Sequence, residues 1–283
     1  MFKKNHPDWS HESMKEELTR FISLYKNRPI KENLHGMRFP HMFATYFILK
    51  KINPKFVIES GVYKGQSTWL IETALPECEI LCLDIDLKQI IYKSKKATYS
   101  DLDFKFQNFS NKPEETLVFF DDHQDHIERI KQAKNFNIKH IILEDNYPIG
   151  KGDFYTVRHS YGNKGFNHPL EIKSLYKTIY LFFKLLIKKI FKKNYYISLE
   201  QISSRLRDRK PNNNDFLNLE KNLDIYYEFP PIIKIEKNKW NEDMTKPHLE
   251  TEKQIQDSDN IDFLDFKDEL QSYNYITYIM LRA

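Results

Sequence analysis

At 283 residues the chain is long enough for one large domain, or a domain with an elaboration, and its core needs no disulfide or metal staple. Its 44 basic and 40 acidic residues leave a net charge of +4 with no continuous basic stripe, so no nucleic-acid partner is expected. Cys78 and Cys82, the two cysteines, fall in one apparent core unit, which excludes a zinc or disulfide framework and suits a reduced, cytoplasmic setting. No apolar signal region opens the chain and no uncharged run approaches spanning length, so the expectation is a soluble protein.

In chain order, residues 8–27 show helical spacing through Met14, Leu18, Phe21, Ile22 and Tyr25, and a second helical pattern runs from His41 to Lys51, ahead of the Asn53-Pro54 break. From Lys55 to Asn146 short apolar runs alternate with longer helical patterns. FVIES is followed by Gln66 to Leu75, EILCLD by Leu87 to Ala97, then come DFKFQ and TLVFFD, then His123 to Phe136, and finally HIILED. Such alternation predicts a Rossmann-like, doubly wound, mostly parallel sheet with helices on both faces. Six of the seven glycines lie between Gly61 and Gly165, concentrating the irregular backbone there.

After Asp153 the character changes. Residues 173–193 form a lysine-rich amphipathic pattern whose apolar face suits plain core, a hydrophobic substrate or peripheral contact with an anionic membrane. RDRKPNNND, from Arg207 to Asp215, reads as a linker, and Asn238 to Asn260 is polar and aperiodic. YNYITYIMLR, from Tyr273 to Arg282, reads as a strand returning to the sheet edge. The expected organisation is a helical extension over 1–52, a cofactor-binding core over 53–160, a helical insertion or cap over 161–225, and a C-terminal segment over 226–283 that returns strands to the sheet.

The most specific signal is Glu59-x-Gly61-x-x-x-Gly65, which follows a buried strand and opens a helix, with Asp84 ending the next strand. Gly61 permits a tight turn, Gly65 permits close backbone approach, and a carboxylate at Asp84 suits a pair of ribose hydroxyls. A dinucleotide fingerprint would place its glycines as G-x-G-x-x-G, whereas Val62, Tyr63 and Lys64 separate these two. An acid beside the turn also suits the ammonium of a methionyl group better than a phosphate, so S-adenosylmethionine is favoured over NAD. Asp86 reads as a solvated strand end.

The order ESGVYKG, LDID, QNFS, VFFDDHQD, LEDN resembles the class I S-adenosylmethionine-dependent methyltransferases over Phe56 to Asn146. That resemblance implies Glu59, Gly61 and Gly65 at the methionyl side, Asp84 at the ribose, Asn108 near the adenine with Gln107 and Ser110 as weaker neighbours, and Asp121 beside the cofactor. The acids after strands four and five also resemble the metal-dependent small-molecule and sugar O-methyltransferases. On that likeness Asp121 or Asp122, with Asp145 and Asn146, would hold magnesium, Asp121 and His123 would be catalytic, and a small-molecule or saccharide hydroxyl would be the acceptor. A divalent cation lowers the pKa of a bound hydroxyl, and a histidine with an ordinary pKa near 6.5 takes a proton at neutral pH.

Other readings of these residues stand beside the functional ones. Asp122 also suits a helix cap, Asn146 the turn before Pro148, and His126 a structural place on the helix. Tyr147 to His159 follows the acidic cluster and carries Asp153, Tyr155 and Arg158 as substrate-side candidates, or forms an ordinary loop. The rivals to a methyltransferase are another enzyme on the same scaffold and a non-catalytic binding module. A homo-oligomer is left open.

Overall fold

The computed structural model describes residues 5–161, 165, 210, 212–237, 241, 254–256, 266–270, 272 and 275–282. The amphipathic segment 173–193 and most of 238–260 lie outside them. Among the described residues no helix is long and apolar enough to cross a membrane.

Two helices lead in. α1 (His11–Tyr25) is capped by Ser10, whose hydroxyl accepts from Ser13 N, and buries Met14, Leu18, Phe21 and Tyr25 along one stripe. α2 (Phe39–Ile52) is buried nearly all round and ends on Asn53 in the left-handed conformation, just before Pro54. Phe21, Phe39, Phe43 and Phe47 share one core with Val57, Leu117, Phe119 and Ile142. The lead-in helices therefore form a layer over the sheet.

The sheet follows as β1 (Phe56–Ser60), α3 (Gln66–Ala74), β2 (Glu79–Leu83), β3 (Ala97–Ser100), β4 (Thr116–Phe120), α4 (His126–Asn135) and β5 (His140–Leu143). It continues with α5 (Val157–Tyr161), α6 (Asn213–Asn222), β6 (Leu223–Glu228), α7 (Lys267–Leu270) and β7 (Thr277–Leu281). The seven strands lie in the order β3-β2-β1-β4-β5-β7-β6. β1 to β5 are parallel, and β7 runs antiparallel to both β5 and β6. Successive residues alternate between the two faces: Leu117 and Phe119 join the core under α1 to α3, while Val118 and Phe120 join the one under α4. Burial on both faces is why these strands read as unbroken apolar runs.

Three expectations are corrected. Leu87 to Ala97 is not a helix; it holds one 3-10 turn, Leu87–Gln89, before β3. DFKFQ is not a strand but a second such turn, Phe104–Phe106, which buries Phe104 and exposes Phe106. β7 does not close the edge: it inserts between β5 and β6, and β6, which begins directly after α6, forms the edge and spans the expected boundary at 225/226.

Candidate functional site

The glycine turn leaves β1 at Ser60. Gly61 has φ +98°, and a Cβ there would lie 2.0 Å from the Asp121 carbonyl oxygen, so its glycine admits the end of β4. Gly65, at φ +90°, opens α3, and a Cβ on it would lie 2.1 Å from the Tyr92 carbonyl oxygen. The segment after β2 is bound there, because Ile91 N and Tyr92 N both donate to the Lys64 carbonyl. Gly65 thus makes room for chain 90–92, where the sequence pointed to a ligand.

Asp84 braces the same turn. Its Oδ2 accepts from Val62 N and Tyr63 N, each at 2.9 Å, and its Oδ1 accepts from Asp86 N at 2.8 Å. Glu59 is fully buried on β1, where its Oε2 accepts from the Thr68 hydroxyl at 2.5 Å and the Cys82 thiol at 3.1 Å. Its Oε1 has no hydrogen-bond partner. Burial, opposed by the side chains of Ser67, Thr68 and Cys82, raises the Glu59 pKa above the ordinary carboxylate range.

Asn108 is not with them. It stands eight positions past β3, exposed, and its Oδ1 accepts from Ser110 N and the Ser110 hydroxyl. Gln107 donates to the Ser100 hydroxyl and the Leu102 carbonyl.

A cleft forms where β4 and β5 end, lined by Phe120, Asp121, Asp122, His123, His126, Glu144, Asp145 and Phe154. His123 (φ +53°) and Asp145 (φ +55°) both adopt left-handed backbone, which non-glycine residues hold only under constraint. Burial pushes the Asp121 and Glu144 carboxyls well above their usual range, and Asp145 adds to both shifts. Glu144 lies 2.8 Å from His41 Nδ1, a residue that reaches the cleft from α2.

Asp122 does not cap α4; Asp125 does, accepting from Ile127 N and Glu128 N. Asp122 instead accepts from the Ser60 hydroxyl at 2.6 Å and pairs with Arg129 at 2.7 Å. Arg129 in turn makes a two-pronged bond to Asp103 at 2.7 and 3.0 Å. Asn146 is fully buried, donates to the Tyr226 and Thr277 hydroxyls, and accepts from Arg158 N. Two of the three expected magnesium ligands, Asp122 and Asn146, are thus held by other groups. Among the described residues no group of three or more His, Cys, Asp or Glu is placed to hold a metal ion. The set does not fit that ion.

Of the substrate-side candidates, Asp153 alone reaches the cleft mouth. Tyr155 is buried with its ring stacked on His159, and Arg158 is buried beside Glu228 at 3.4 Å. Phe154 supplies the wall instead, with its ring 5.0 Å from His126 and 5.6 Å from His123. Nothing in the sequence distinguishes Phe154 beyond its place in that segment, and His126 reads there only as a structural or solvated residue of the helix.

Burial alone would lower the His123 pKa, but the 3.0 Å bond to Asp153 and the charges of Asp145 and Asp121 outweigh it and raise it to about 9. The arrangement favours the charged imidazole, where the resemblance implies a histidine of ordinary pKa that takes a proton at neutral pH. A histidine whose folded pKa exceeds the unfolded 6.5 contributes stability that is complete below 6.5 and lost as pH rises through about 9. The side chain is 47% exposed, so solvent screens the pair. Asp153→Asn is expected to bring the His123 titration, followed by imidazole NMR, down by about one unit. An unchanged titration would remove Asp153 as its partner.

No family model matches the chain, and no curated protein matches it. Solved structures do align with it. A Klebsiella pneumoniae protein assigned as an O-methyltransferase is 11% identical, covering 98% of this chain and 91% of that one at a TM-score of 0.43. CmcI-N160 with SAH is 18% identical over 54% of this chain and 84% of that one, with a TM-score of 0.38. The O-methyltransferase from Bacillus cereus in complex with SAH is 18% identical over 49% and 67%, with a TM-score of 0.34. At such similarity the chemistry of the site is read from this chain's own residues. The order β3-β2-β1-β4-β5-β7-β6 with β7 reversed gives the chain the doubly wound fold implied by its resemblance to the class I S-adenosylmethionine-dependent methyltransferases.

Proposed function

We propose that this chain is an S-adenosylmethionine-dependent methyltransferase acting on a hydroxyl of a small-molecule or saccharide acceptor. One observation carries the reading: a glycine turn braced by Asp84 lies beside a buried Glu59 whose Oε1 has no partner. A buried carboxylate oxygen without a donor costs free energy that a ligand's ammonium recovers. That suits the methionyl end of this cofactor, whose sulfonium would supply the methyl group. Asp84 would shape the turn for the ribose, and the cleft between β4 and β5 would orient the acceptor while Phe154 excludes water. Magnesium assistance stays outside this reading, because Asp122 and Asn146 are held by other groups.

The test is a thermal-shift titration with S-adenosylmethionine, S-adenosylhomocysteine and NAD, with and without magnesium, on wild type and Asp84→Ala. The sulfur ligands are expected to raise Tm where NAD does not. Asp84→Ala is expected to weaken binding by at least about tenfold, because the loss leaves two turn amides without their acceptor. Absence of a shift with either sulfur ligand would sink the reading. Binding without turnover on any hydroxyl acceptor would favour a binding module.

A further inference from the structure

The connection between α1 and α2, residues 26–38, touches the glycine turn at two points. Ile30 N donates at 3.2 Å to Oε1 of Gln66, the first residue of α3, and the Tyr63 hydroxyl donates at 3.3 Å to the Leu34 carbonyl. Tyr63 holds left-handed backbone at φ +49° between the two glycines. A non-glycine residue keeps that conformation only where its surroundings over-determine it. Here Asp84 holds the Tyr63 amide, and the connection holds its hydroxyl.

The connection is fixed in turn by one carboxylate from the far end of the chain. Glu269, on α7, accepts with Oε2 from the Tyr25 hydroxyl at 2.6 Å and from Phe39 N at 2.9 Å, and with Oε1 from Arg28 Nη2 at 3.0 Å. Tyr25 ends α1 and Phe39 begins α2, so Glu269 grips both ends of the span. Arg28 carries the grip inwards: it donates to the Tyr25 and Lys31 carbonyls, each at 3.2 Å, with its guanidinium 4.2 Å from the centre of the Tyr25 ring. The Arg28 and Glu269 side chains are 9% and 16% exposed, so solvent screens this pair weakly. Phe266 stacks on Phe39 with ring centres 5.2 Å apart, which seats the same short helix by packing as well as by charge. A turn already held in its bound shape binds more tightly, because the ligand does not have to order it.

We propose that Glu269 is a positioning residue for the cofactor: through Arg28 and the 26–38 connection it keeps the turn at 61–65 in the shape that receives the ligand. The identity of that ligand rests on the methyltransferase reading above, whereas the coupling rests on the bonds just described.

Two measurements on the full chain test it, one without ligand and one with S-adenosylhomocysteine. In the ligand-free protein, amide hydrogen exchange at Val62 and Tyr63 is expected to quicken at least about tenfold in Glu269→Ala, while amides of α4, on the other face of the sheet, change by a smaller factor. In calorimetric titrations the same variant is expected to bind S-adenosylhomocysteine at least about tenfold more weakly. Glu269→Gln keeps an acceptor for Phe39 N but gives up the charge that holds Arg28; it should fall between wild type and alanine, and it carries the test if the alanine variant does not fold. Tyr63→Phe cuts the tie to Leu34 and should also weaken binding. Combined with Glu269→Gln it should lose less than the two separate losses together, because both act through one span. Exchange that quickens equally in α4 overturns the proposal, because Glu269 then only stabilises the fold. Unchanged exchange at Val62 and Tyr63, or fully additive losses, overturns it as well. Equal S-adenosylhomocysteine binding in all the variants overturns this inference while the methyltransferase reading stands. Quickened turn exchange in a protein that binds no S-adenosylhomocysteine keeps the coupling and sinks that reading.

Discussion

Gly61→Ala is expected to destabilise the protein by about 3 kcal/mol or more and to abolish cofactor binding. Two costs combine. At φ +98° an L-residue is strained, and the added Cβ would stand 2.0 Å from the Asp121 carbonyl oxygen and 2.9 Å from Asp122 N. Neither obstacle is a flexible side chain that can swing aside. Both are backbone at the end of a strand buried on each face, so β1 and β4 would have to separate where Ser60 O accepts from Asp121 N. Gly150→Ala is the matched control, because Gly150 also has positive φ, +81°, but nothing lies within 4 Å of its added Cβ. It should cost only the backbone strain, about 1 kcal/mol. Urea unfolding of the two variants separates strain from collision. If Gly61→Ala costs no more than Gly150→Ala, β1 and β4 are not packed as described.

Legibility in the sequence followed burial and sequence distance. β1, β2, β4 and β5 each put side chains into both cores, so each reads as an apolar run, and α1 shows its stripe because only one face is covered. β3 escaped notice because it is an edge strand of four half-exposed or exposed residues, whereas Phe104 and Phe106 imitate alternation from a 3-10 turn. The inner place of β7 depends on pairing with His140 to Leu143, more than a hundred residues earlier, which no local pattern encodes.

The same rule divides the site. The turn at Gly61 and the strand end at Asp84 are legible because they form one βαβ unit, whereas the bracing of the turn by the Asp84 carboxylate is not. The roles of the acids after β4 and β5 are not, because distant partners decide them. Asn146 is a ligand by the resemblance or a turn residue before Pro148, yet Tyr226 and Thr277 hold its amide. Asp122 stands where a ligand or cap is expected, yet Ser60 and Arg129 hold its carboxylate. Arg129 itself lies on α4 with no motif around it.

That arginine carries the second large effect. Arg129→Met is expected to cost about 3–5 kcal/mol, because it strips the cation from two carboxylates and leaves both without it in a region that excludes water. The guanidinium side chain is only 4% exposed, with Asp103 at 2.7 Å on one side and Asp122 at 2.7 Å on the other. Methionine fills much of the volume but offers no donor. The variant should also acquire a pH dependence whose sign follows from the charges. With the cation gone, two largely buried carboxylates stand without their counter-charge, so the added cost is full at neutral pH and shrinks as pH falls towards the ordinary carboxylate range near 4. Arg129→Lys keeps the charge but not the two-pronged geometry, and should fall between wild type and methionine. Because Asp122 also holds Ser60 at the end of β1, freeing it loosens the junction of turn and cleft, and S-adenosylhomocysteine binding should weaken with stability. Urea unfolding of the three proteins at pH 5 and pH 7.5 decides the matter. A loss under about 1 kcal/mol, or one equal at the two pH values, would mean that water or their other partners replace Arg129 at Asp103 and Asp122.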